Sequence, residues 1–177
     1  MKCILTLKHW QLFLLILIPP SLNLESPWGE ILGSISLLTL FAWIYAIGFY
    51  GQEIIVNRGL KTDNFIYFKF NTLLSCFYFL IAISLEQNEK IKIDMKFDLK
   101  TIVVLIIGFY CLFAAFQAIL FVCRTLVTIE QNRNVILSDY FVTFVLIGNF
   151  IFGIWFVQPR INKIFKGDNL DEKEAYP

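Results

Sequence analysis

Apolar residues along this chain gather into long unbroken runs, not into the alternation or narrow stripes of soluble strands and helices. A helix crossing a hydrocarbon core of about 30 Å needs about 20 mostly apolar residues. Four runs reach that length: Trp28 to about Tyr50, Phe65 to Leu85, Thr101 to Val122 and Tyr140 to Val157. Trp28 and Tyr50 close the first run at both ends, where aromatic side chains favour the membrane–water interface. The connections Gly51 to Asn64, Glu86 to Lys100 and Cys123 to Asp139 are short, so consecutive helices are expected to be antiparallel neighbours. The pattern predicts an all-α integral membrane bundle of four transmembrane helices, one unit over 1–166. A polar tail over 167–177 reads as disordered.

A shorter apolar segment, 10–18, precedes Pro19 and Pro20. Nine helical residues rise only about 13.5 Å, less than half the hydrocarbon core. Three readings stay open: a half-inserted or kinked helix, a crossing that continues past the prolines to Leu24, and a signal peptide. The last lacks an A-x-A-like cleavage site between Ser21 and Ser26. Charge placement bears on the choice. With a non-crossing first segment, Lys90, Lys92, Lys96 and Lys100 share a side with Arg160, Lys163, Lys166 and Lys173. They face Arg58, Lys61, Lys69, Arg124 and Arg133. Eight against five places the middle connection and the C-terminus in the cytoplasm, and Lys2 and Lys8 make it ten against five if the first segment dips in and returns but eight against seven if it crosses, which favours the half-inserted helix.

Composition sharpens the class. Hydrophobic residues make up 58% of the 177, with a mean hydropathy of +0.68, which excludes a soluble globular domain. No stretch outside the runs can bury a core of its own, so no soluble catalytic or sensor domain is expected. The formal net charge of +1 provides no attraction for nucleic acid. Cys3, Cys76, Cys111 and Cys123 are far apart and unpaired in spacing, which reads as reduced, structural thiols.

Candidate chemistry is sparse. Lys69 lies four residues into its run and can snorkel to the interface. Asn71, Gln117 and Asn149 lie deeper, where interhelical hydrogen bonding is their ordinary role. Gly29 with Gly33, and Ala114 with Ala118, have the small-xxx-small spacing that lets helices approach closely. The single histidine, His9, and the absence of paired carboxylates within the runs give no metal site, no cofactor and no enzyme motif. Asp63 and Asp139 stand where helix N-caps are expected. Ile91, Ile93, Met95, Phe97 and Leu99 alternate with charged residues, the mark of a half-buried strand. Ile161 to Lys166 form a short basic amphipathic run suited to anionic head groups.

The stretches Trp43 to Gly51, Gly153 to Lys163 and Leu7 to Gln11 resemble a family of small uncharacterised multi-pass membrane proteins of Bacteroidetes-type bacteria. The resemblance implies an inner-membrane location. It carries no activity, and it marks Gln158, Pro159 and Arg160 as candidates without a named chemistry. The expected role is a non-enzymatic structural or interaction subunit in the lipid bilayer, packing with itself or with a membrane-protein partner. The alternative is a homo-oligomeric pore or membrane-disrupting effector lined by Asn71, Gln117 and Asn149.

Overall fold

The computed structural model describes residues 2–22, 27–61, 63–86 and 99–174. Seven helices follow in order: α1 (Lys2–Thr6), α2 (His9–Ser21), α3 (Trp28–Asn57), α4 (Phe65–Glu86), α5 (Leu99–Gln131), α6 (Leu137–Gly148) and α7 (Phe150–Glu174). Among the described residues there is no strand. The alternating stretch from Ile91 lies outside them up to residue 98, and α5 begins at Leu99.

Three helices, not four, are individually long and apolar enough to cross a membrane: Trp28–Asn57, Phe65–Ser84 and Ile102–Gln131. They correspond to the first three expected spans. Two of them outrun the expectation, because α3 continues to Asn57 and α5 to Gln131. The extensions hold each other. Gln52 donates from Nε2 to Thr125 Oγ1 at 3.3 Å, and Arg58 donates from Nη1 to the Ile129 carbonyl at 2.9 Å.

The run expected as a fourth span, Tyr140 to Val157, is not one helix. α6 ends at Gly148 after 12 residues, a rise of about 18 Å. Asn149 leaves helical geometry (φ −94°, ψ 61°), and its carbonyl accepts the first amides of α7, Phe152 N–H at 3.0 Å and Gly153 N–H at 2.9 Å. Seventeen residues of straight helix would separate Thr143 from Arg160 by about 25 Å. Instead Arg160 Nη1 donates to Thr143 Oγ1 at 3.2 Å, so α7 doubles back along α6. Gly153 is required at the turn: a Cβ there would overlap the Leu146 carbonyl oxygen.

The N-terminal segment departs from expectation in the opposite sense. α2 keeps Pro19 and Pro20 within its last turn, and a short break at Leu7 and Lys8 joins it to α1. Ser36 Oγ donates to the Ile16 carbonyl, while the Leu5–Leu7 carbonyls meet Gln158, which also accepts from Trp43. Residue 16 therefore lies beside residue 36 and the break lies near the level of Trp43. Together α1 and α2 run antiparallel along most of α3.

The core sits between these elements. Leu5, Leu12 and Ile16 meet Trp43 and Ile47 of α3 and the face Ile154, Val157 and Ile161 of α7. Phe165, one turn further, is buried in the same cluster, so the amphipathic run from Ile161 turns its apolar face to protein. The backbone of α7 extends through much of the segment read as a polar tail.

Candidate functional site

Two groups of polar side chains stand out within the apolar helices, one closed and one open. The closed group centres on Gln158, which is fully buried. Its Oε1 accepts from Trp43 Nε1 at 2.8 Å, and its Nε2 donates to the carbonyls of Leu5 at 3.1 Å and Leu7 at 3.0 Å. Asn162 Nδ2, one turn along, also donates to Leu7, at 3.1 Å. These are the carbonyls released where α1 breaks from α2, groups that cannot be left unpaired away from water. Arg160 adds a second closure. Its Nε donates to Glu130 Oε1 at 2.7 Å and its Nη2 to Glu130 Oε2, a two-point pair that ties α7 to the end of α5. Pro159 between them is exposed within α7.

The open group lines a cleft of about 280 Å³ between α4, α5 and the start of α6. Helical spacing explains its walls. Tyr67 and Asn71 are four residues apart on α4, while Gln117, Phe121 and Arg124 follow one another by one turn on α5. Tyr140 of α6 stands on the rim. Arg124 Nη1 bonds Asp63 Oδ1 at 2.6 Å, and both side chains are partly exposed. Phe68 stacks on Phe121 with ring centroids 4.3 Å apart, giving the cleft an apolar wall. The side-chain amides of Asn71 and Gln117 make no hydrogen bond with any described residue.

Of the candidates named from sequence, Asn71 and Gln117 come together here and Asn149 does not. Asn149 lies at the α6–α7 turn, with Nδ2 donating to the Val145 carbonyl at 2.9 Å. Lys69 points elsewhere, its Nζ 4.3 Å from the Phe65 ring centroid and 5.8 Å from that of Phe49. Ala114 and Ala118 are buried packing residues. Gly29 and Gly33 are only partly buried, and a Cβ on Gly33 would find nothing nearer than Ile83 Cγ2 at 3.8 Å. The close approach expected there occurs instead at Gly48 against Phe68 and at Gly51 against Thr125.

The sequence alone gives Asp63 a capping role, Arg124 and Glu130 the role of interface charges and Trp43 no polar role, and names none of the four as a site residue. Asp63 pairs with Arg124 rather than capping α4. Asp139 caps α6 from its third helical residue, accepting from the Ile136 N–H at 3.1 Å while it pairs with Arg133. A usable signal existed on α5, where Gln117 and Arg124 are seven apart and so mark one helix face. Among the described residues no group of three or more His, Cys, Asp or Glu side chains is gathered as a metal site.

The chain is a helical bundle with several candidate membrane-spanning helices. No protein-family model matches it, and no curated protein or solved structure shows significant similarity to it.

Proposed function

We propose that this chain is a multi-pass protein of the bacterial inner membrane that acts without catalysis, as a structural or interaction subunit working through lateral helix contacts. One observation carries the reading. Of the residues from Ile102 to Phe113 on α5, only Gly108 and Cys111 are buried. A helix apolar around nearly its whole circumference is stable only where lipid or another apolar chain surrounds it. The closed polar network around Gln158 supports the same reading, because its hydrogen bonds are spent on holding broken helices. A pore lined by Asn71, Gln117 and Asn149 has less support, since Asn149 is at a turn away from the other two.

Within this reading α3, α4 and α5 cross the bilayer, and α1 with α2 forms a fourth, broken crossing. The α6–α7 hairpin enters and returns. The two terminal apolar segments thus exchange the roles that hydropathy alone assigns them. Lys2, Arg58, Lys61, Arg124, Arg133, Arg160, Lys163, Lys166 and Lys173 then share one face, against Lys90, Lys92, Lys96 and Lys100 on the other. Nine against four puts the first face in the cytoplasm. The C-terminal end stays cytoplasmic, as the simpler count has it, while the α4–α5 connection moves outside.

Two experiments test the reading. Single cysteines at Asn57, Asn88, Asn132 and Gly167 in a Cys-free background, treated in intact cells with an impermeant thiol reagent, are expected to label only at position 88. Labelling at position 167 would overturn the returning hairpin. A photo-crosslinking residue at Phe109 in native membranes is expected to give a discrete adduct with a second copy or a membrane partner. A strictly monomeric protein in lipid discs, with no adduct in membranes, would overturn the interaction role.

A further inference from the structure

The α4–α5–α6 cleft combines opposite charges, spare amides and an apolar wall. Arg124 and Asp63 meet at its mouth through a single 2.6 Å contact between Nη1 and Oδ1, which leaves further guanidinium donors and the second carboxylate oxygen. Asn71 and Gln117 add amide donors and acceptors that no described residue engages. From these residues the same helix faces continue away from the charged pair as Leu74 on α4 and Phe113 on α5, by helical spacing. The surface thus passes from a charged pair, through amides, to hydrocarbon.

We propose that this cleft binds a lipid with a zwitterionic phosphoamine headgroup, its phosphate on Arg124, its primary ammonium against Asp63 and its acyl chain along Leu74 and Phe113. An anionic headgroup fits less well, because Asp63 stands within hydrogen-bond distance of the guanidinium and repels it. A quaternary amine fits less well because it has no N–H to donate to the carboxylate. The cleft volume, near the lower end of the range for small-ligand sites, suits a headgroup rather than a larger solute. The proposal rests only on the membrane-spanning part of the reading above, not on the interaction role.

The full chain in mild detergent, titrated with short-chain phosphatidylethanolamine, phosphatidylcholine and phosphatidylglycerol and read by native mass spectrometry, tests it. Phosphatidylethanolamine is expected to be retained about tenfold better than either of the others. Asp63→Asn and Arg124→Gln are each expected to abolish that preference. Gln117→Leu, which leaves the ion pair alone, is expected to weaken retention about threefold. Lys69→Gln, outside the cleft, is expected to change nothing. Equal retention of the three lipids by the wild type, an undiminished preference in a folded Asp63→Asn or Arg124→Gln protein, or undiminished retention by a helical, monodisperse Gln117→Leu protein, would overturn the proposal. Millimolar O-phosphoethanolamine distinguishes the source: failure to displace the lipid supports a membrane ligand, and full displacement overturns the lipid assignment. Carbonate washing of the same membranes separates the two readings. Release into the wash sinks the membrane assignment, whereas retention without headgroup preference sinks only the cleft.

Discussion

Where helices are broken, on the side built from α1, α2, α3 and α7, buried side chains take over the hydrogen bonds that the backbone has lost. Gln158 serves Trp43, Leu5 and Leu7 there, and Arg160 and Asn162 add to the closure. Where helices are continuous, between α4 and α5, the backbone satisfies itself and the interface needs little. Ser75 Oγ donates to the Cys111 carbonyl at 3.0 Å, Gly108 accommodates Tyr78, and most of the remaining surface of α5 from Ile102 to Phe113 is exposed. The contrast shows how polar residues are distributed in an apolar chain. At a break they take up the backbone groups that the helix has released, because an unpaired amide or carbonyl away from water costs several kcal/mol.

The largest test of this contrast is Gln158→Leu. It strands the Trp43 indole N–H and the Leu5 carbonyl, and is expected to cost about 3 kcal/mol of stability. Thermal unfolding in detergent should show the drop, and an unchanged midpoint would mean that the network is ornamental. Next comes Gly51→Val, whose added carbons collide with Thr125 where α3 and α5 meet. Overpacking of this kind costs about 2 kcal/mol, measurable in the same assay, whereas Gly33→Ala is expected to stay within about 0.5 kcal/mol. A reversed order would restore the Gly29–Gly33 pair as the tight contact. Ser75→Ala removes one interhelical hydrogen bond and is expected to cost only about 0.6 kcal/mol. A loss as large as that from Gln158 would erase the difference between the two regions. Phe109→Leu, at a position 71% exposed, is expected to leave monomer unfolding unchanged and to lower the yield of any crosslinked dimer. A fall in monomer stability would mean that this surface already has an intramolecular partner.

Hydropathy picked out the three helices long and apolar enough to cross a membrane, because length and apolarity are summed locally along an unbroken helix. It missed the shapes of the two remaining segments for reasons visible in particular residues. In the run from Tyr140 to Val157, Gly148, Asn149 and Gly153 are turn chemistry embedded in apolar sequence, and a window average passes over them. Near the start, Lys2, Lys8 and His9 lower the local hydropathy. The turns they occupy are nevertheless held against α7 by Gln158 and Asn162, residues some 150 positions away. The cleft was half legible. Asn71 and Gln117 stood out as polar residues inside apolar runs, while Asp63 read as a helix cap and Arg124 as a loop charge until pairing joined them.

The sequence by itself determined that the chain is helical and which stretches avoid water, because hydrogen-bond satisfaction in an apolar medium leaves a helix as the local solution. Only the tertiary structure decided which apolar segment runs along α3 and which turns back. That choice depends on where released carbonyls find donors: Gln158 supplies them for Leu5 and Leu7, and no property of residues 2–22 alone announces it.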